Sequence, residues 1–142
     1  MKILVTMPVG EVRESFLPLQ VRERLESVAE VEYNTMERNF TPEELKERLR
    51  GKDIALTGWG TGLFDETVLE GNDTLRLIAH TGGSVTPVMS DEAYERGIRV
   101  ISGNEMYAES VAESVIAYAL ASLRRIPEFI VRTRSGDWYH AG

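Results

Sequence analysis

The residues best suited to chemistry lie in two glycine-rich stretches, Gly58-Trp59-Gly60-Thr61-Gly62 and His80-Thr81-Gly82-Gly83-Ser84-Val85. In the second, two adjacent glycines let the backbone turn sharply and leave no Cβ in the way of a ligand. Successive N–H groups at such a turn form a nest that can hold an anion. The chain carries 16 Lys and Arg against 23 Asp and Glu, a formal charge of −7. Its overall field repels a carboxylate, so only local donors could hold one. Gly82, Gly83 and Ser84 are therefore candidate anion-binding residues, with an ordinary tight turn as the alternative. His80 opens the same loop, and a lone histidine there is either a ligand contact or a hydrogen-bonded structural residue. Trp59 brings a large apolar plane and one N–H donor, either to a binding mouth or over the core.

Other chemistries are excluded by what the chain lacks. The first glycine loop has Leu63 where a dinucleotide fingerprint needs its third glycine, and no acidic residue ends a strand about twenty residues on. There are no cysteines, which rules out thiol catalysis, disulfides and Cys-ligated metals. Neither His80 nor His140 has an acidic or histidine neighbour at ligand spacing, so no metal site is expected. No basic footprint for nucleic acid is present. No apolar run approaches the roughly 18 residues of a membrane span, and the N-terminus is too short in apolar residues for a signal peptide. A cytoplasmic protein is expected.

These loops must be positioned by regular elements, and the chain alternates apolar runs with helical segments. Strands are expected at Ile3–Val5, Val31–Tyr33, Asp53–Thr57, Leu75–Ala79 and Ile98–Ile101. A helix over about Leu17 to Ala29 places Leu17, Val21, Leu25 and Val28 on one stripe. Thr41-Pro42-Glu43-Glu44 reads as a capping box with proline at the first helical position, and Gly51 suits the left-handed residue past the helix end. Asp65 and Ser90 can cap two further short helices. This rhythm predicts an α/β fold, a flavodoxin-like three-layer α/β/α domain with a five-stranded parallel sheet over residues 1–103. Ligands are expected outside the C-terminal strand ends. A phospho-receiver would need acidic residues after the first strand and an Asp after the third, where Thr6-Met7-Pro8 and Thr57-Gly58 stand. The stretch Met7-Pro8-Val9-Gly10-Glu11 is equally unlike a flavodoxin phosphate loop.

The last forty residues differ. A long helix over about 107–126 is apolar on most sides, and such a helix is normally buried on most sides. One small sheet covers only part of it. It is expected either to pack on its own sheet or to meet a second domain or a partner subunit. Ile126-Pro127 then introduces a tail containing Trp138, Tyr139 and His140.

Three motifs carry a resemblance. The stretch Leu75 to Val85 is followed by Ala93, Arg96-Gly97-Ile98 and Val100, then by Ser110-Val111-Ala112-Glu113 opening the long helix. In this order and spacing they resemble the N-terminal half of the D-isomer-specific 2-hydroxyacid dehydrogenases, along essentially the whole chain. The resemblance implies a substrate-binding domain at 1–103 and a connecting helix and tail at 104–142, leading to a Rossmann domain beyond these residues. It implies that backbone N–H groups around Gly83 and Ser84 hold the carboxylate of a small 2-hydroxy or 2-oxo acid. Trp59 then falls in the loop contributing to the side-chain pocket, and Val111 approaches the nicotinamide of NAD or NADP. It also implies that the catalytic Arg, Glu and His lie in the Rossmann domain, so this chain has no catalytic residue and is not expected to turn over substrate alone. Dimerisation through the 107–126 helix is expected. The chain departs from the family pattern in having Thr86-Pro87 where an Asp is usual, and His80 in place of a common Arg. A stand-alone carboxylate-binding or dimerisation module, without enzyme activity, is the rival expectation.

Overall fold

A computed structural model describes residues 1–137. Trp138, Tyr139 and His140 lie outside the described residues. The chain falls into two compact units, the first spanning Met1–Asn104 and the second beginning at Glu105.

In the first unit, strands β1 (Lys2–Val5), β2 (Glu30–Tyr33), β3 (Ile54–Thr57), β4 (Leu77–His80) and β5 (Arg99–Ser102) form one sheet in the order β2-β1-β3-β4-β5. Every pairing is parallel. Helices α1 (Glu11–Phe16), α2 (Leu19–Val28), α3 (Pro42–Arg48), α4 (Glu66–Leu69) and α5 (Asp91–Glu95) make the connections. Strand side chains alternate between faces, so each strand feeds two cores. Leu4, Ala55 and Ile78 enter one core with Leu45, Leu49, Phe64 and Leu69. Ile3, Val5 and Met7 enter the other with Leu17, against which Phe16 and Leu25 pack. This is the expected doubly wound arrangement, and its order reverses between β1 and β3.

The start of α3 is the capping box expected from its sequence. The Glu44 N–H donates to Thr41 Oγ1 at 3.3 Å, and the Thr41 N–H donates to Glu44 Oε2 at 2.8 Å. Arg38, hydrogen-bonded to the same carboxylate, and then the Thr41 N–H hold the Glu44 pKa down to about 2. Gly51 closes the segment at φ +68°, a backbone angle that disfavours any Cβ.

Two readings of the helices need correction. The helix expected over Leu17 to Ala29 is α2, Leu19–Val28, starting after Pro18 at its N-cap, and it is preceded by a separate short helix, α1, that the sequence pattern did not suggest. Leu17 is buried at the end of α1, whereas Val21 and Val28 are exposed, so the stripe is not continuous. The segment after Ile126-Pro127 is also helical rather than an irregular tail. Proline is tolerated in a first turn, where its missing N–H has no partner to lose, and α7 runs Ile126–Arg134. It follows α6 (Asn104–Leu123) in the second unit, with Arg125 between them at φ 53°. β4 begins at Leu77 rather than Leu75, and Leu75 is nonetheless buried in the core.

Candidate functional site

The C-terminal ends of β1, β3 and β4 lie side by side, and each continues into a loop bearing a small polar residue. Thr6 follows β1, Thr57 ends β3, and His80 ends β4. The side chains meet in the interior. Thr6 Oγ1 lies 2.9 Å from Thr61 Oγ1, and Thr61 Oγ1 accepts the Gly58 N–H at 3.3 Å. Thr57 Oγ1 lies 2.9 Å from His80 Nδ1. The Thr81 N–H and hydroxyl both donate to the Thr57 carbonyl, at 2.9 and 3.1 Å. These bonds tie the loop after β1 to the loop after β3, and the end of β3 to the start of the loop after β4.

His80 is only 6% exposed. Burial disfavours its charged form and moves its pKa below the ordinary 6.5. The ring is neutral at pH 7, with Nδ1 committed to Thr57. Its other nitrogen faces Gly82: a Cβ on Gly82 would lie 2.5 Å from His80 Nε2 and 2.9 Å from Trp59 Nε1. Trp59, His80 and Gly82, from two loops, thus converge on one point where only glycine fits. Trp59 is 62% exposed and meets Phe16 edge to face at 5.4 Å between ring centroids. It stands at the mouth rather than over the core.

Gly82 itself is buried, and exposure rises along the loop that follows it. The Gly82 carbonyl accepts from the Gly103 N–H at 3.0 Å. Among the described residues, the N–H groups of Gly82, Gly83 and Ser84 donate to no protein acceptor. Gly83 is half-buried and Ser84 exposed. Three consecutive uncommitted donors beside a neutral imidazole and an indole can hold a carboxylate. Val111 belongs to the second unit, on α6, and is exposed.

The residues around the first glycine loop do not fit a dinucleotide. The helix after it, α4, is a single turn whose N-terminus is already capped, Asp65 Oδ1 accepting the Val68 N–H at 2.9 Å. A carboxylate at that position repels a pyrophosphate. Among the described residues no cluster of His, Asp and Glu could hold a metal ion, and no helix is long and apolar enough to cross a membrane.

Sequence reading missed two polar residues that shape the neighbourhood. Arg13 is buried on α1, its Nη1 donating to the Asn34 carbonyl at 2.7 Å. Asn34, also buried, donates from Nδ2 to the carbonyls of Thr6 and Arg38 and accepts the Met36 N–H. The available signal was position for Asn34, which directly follows β2, where a buried polar side chain ties loops together; Arg13, inside α1, carries no such signal.

A family model described as the D-isomer specific 2-hydroxyacid dehydrogenase catalytic domain matches residues 5–135. The chain is 32% identical over 137 residues to a D-3-phosphoglycerate dehydrogenase of Methanocaldococcus jannaschii, covering 96% of this chain and 24% of that protein. It is 32% identical over 107 residues to a glycerate dehydrogenase of Methylorubrum extorquens, covering 75% of this chain and 33% of that protein. The crystal structure of a D-lactate dehydrogenase from Aquifex aeolicus, complexed with NAD and lactic acid, matches with TM-score 0.68 at 17% identity, over 100% of this chain and 39% of that one. The chain thus spans between a quarter and two fifths of the length of these relatives.

Proposed function

The chain belongs to the D-isomer specific 2-hydroxyacid dehydrogenase family, and from that premise we propose that residues 1–103 are the substrate-binding part of an NAD(P)-dependent oxidoreductase. Such an enzyme moves hydride between C2 of a 2-hydroxy acid and nicotinamide, and the cofactor carries that chemistry. In this reading the N–H groups of Gly82, Gly83 and Ser84 grip the substrate carboxylate, while Trp59 and His80 border it. The observation that supports the reading is the row of three uncommitted donors at Gly82, beside which His80 and Trp59 both stand.

NAD or NADP would be held by a Rossmann domain outside residues 1–142, with Val111 of the connecting helix, 104–142, facing the nicotinamide. The general acid or base and the catalytic arginine would also come from that domain. The 142-residue chain is accordingly inactive by itself, acting in a reducing cytoplasm only as part of the longer enzyme. A homodimer would form through α6, since Val111, Val115, Ile116 and Leu120 are each more than half exposed and such a row of apolar side chains favours association.

The test is a titration of the isotope-labelled chain with glyoxylate, following backbone amide resonances. Saturable shifts at Gly82, Gly83 and Ser84 are expected. Resonances that stay still up to tens of millimolar acid would defeat the reading. An assay with glyoxylate or hydroxypyruvate and NAD(P)H should give no turnover above blank, and turnover would defeat the division of labour.

A further inference from the structure

Between the loops after β1 and β3, where the strand order reverses, the structure has a cleft of about 340 Å³. Ligands of doubly wound sheets collect at this reversal. Its walls are Met7, Pro8, Val9, Val12 and Trp59, with Glu11 at hand. The cleft shares two walls with the candidate carboxylate site. Trp59 reaches Gly82 through its indole nitrogen, and Met7 Sδ lies 3.8 Å from the Thr81 hydroxyl oxygen.

The charges nearby are unfavourable for a second anion. Residues 5–12, 56–64 and 80–90 contain no Lys or Arg. The one cation lining the cleft is Arg13, whose Nη1 is bound to the Asn34 carbonyl and whose guanidinium lies 6.0 Å from the Tyr33 ring centre. Glu11 adds a negative charge. A phosphate needs several charge-assisted donors, and the cleft offers one cation, the buried Arg13, with Nη1 held by Asn34 and Nε lacking a protein partner among the described residues. An aliphatic or aromatic group needs only apolar walls and exclusion of water.

We infer that this cleft receives the substituent on C3 of the substrate, and that it selects 2-oxo acids with an uncharged branched or aromatic side chain over phosphorylated ones. Met7, Val9, Val12 and Trp59 are its specificity-determining residues. The inference rests on the reading that Gly82, Gly83 and Ser84 hold the carboxylate.

The experiment titrates the labelled 142-residue chain with pyruvate, 4-methyl-2-oxopentanoate and 3-phosphohydroxypyruvate in parallel. All three should move the Gly82–Ser84 amides. Only 4-methyl-2-oxopentanoate should also move the Val9 and Val12 amides. Each buried methylene is worth roughly fourfold in affinity, so three extra carbons, partly buried, should bind at least roughly tenfold tighter than pyruvate. Val12→Asp, at an exposed helical position, should erase that advantage. Gly82–Ser84 shifts without any response from Val9 or Val12 would overturn the side-chain assignment and leave the carboxylate site standing. Tighter binding of 3-phosphohydroxypyruvate than of 4-methyl-2-oxopentanoate would do the same. No amide shift with any of the three acids would overturn the carboxylate site and this inference with it.

Discussion

In the first unit Leu4, Leu49, Phe64 and Ile78 are fully buried, whereas in α6 Val111, Val115, Ile116 and Leu120 are each more than half exposed. The two regions draw on the same apolar residue types. In the first unit, strand alternation supplies two faces and the helices supply stripes to cover them, all within 104 residues. In α6, apolar residues run most of the way round the helix, and no residue is buried. Apolar content thus states how much cover a segment requires, and only the packing partner decides whether it is met. The exposed row on α6 is the physical ground for assigning it an interface.

The contrast is broken most severely by substituting a large side chain from each region. Phe64→Ala empties a fully buried ring position beside Met89 and should cost about 3–5 kcal/mol in urea unfolding. Leu120→Ala on α6 should stay within about 0.5 kcal/mol for a monomer. Comparable losses at both sites would mean that α6 is packed in solution. Sedimentation velocity gives the complementary measurement. Val115→Glu with Leu120→Glu should convert a self-associating chain to a monomer, and unchanged association would place the contact elsewhere.

A smaller effect separates the glycine loop from the framework beneath it. Gly82→Ala brings a Cβ against His80 Nε2 and Trp59 Nε1, and should weaken glyoxylate binding at least roughly tenfold, while unfolding changes by only about 1 kcal/mol. Thr41→Ala removes the capping hydroxyl of α3, far from the loop, and should cost about 1 kcal/mol of stability with no change in ligand shifts. The smallest effect concerns pH. The folded-state pKa of His80 lies below its ordinary 6.5 through burial, so the unfolded chain binds the proton more readily. The His80 contribution is fully present above pH 6.5 and is lost as pH falls through the lowered folded value. Urea midpoints at pH 7 and pH 5 should therefore converge in His80→Gln relative to the parent chain. An unaltered pH slope would remove His80 from the account.

Much of the first unit was legible in the residues. All five strands, the Thr41 capping box and the Asp65 and Ser90 caps follow from local patterns, and the structure agrees with them. The failures share a cause. Pro18 sets the start of α2 apart from the unforeseen α1, and Pro127 stands in the first turn of α7, since proline's meaning depends on which turn of a helix it occupies. Arg13 on a helix reads as solvent-facing, yet its Nη1 reaches Asn34, twenty-one residues away.

The sequence by itself determined the order of the five strands, the parallel sheet and the absence of Cβ atoms at Gly82 and Gly83, because these depend on residue type and on periods of two and 3.6. The tertiary structure alone decided that Trp59, His80 and Gly82 meet at one point and that Met7 and Val12 wall a cleft beside them. It also decided that Arg13 is buried. Such contacts join residues from two positions apart, His80 and Gly82, to 74 apart, Met7 and Thr81. They follow from strand register and loop path, which are set by the packing of the whole sheet and not by any local period.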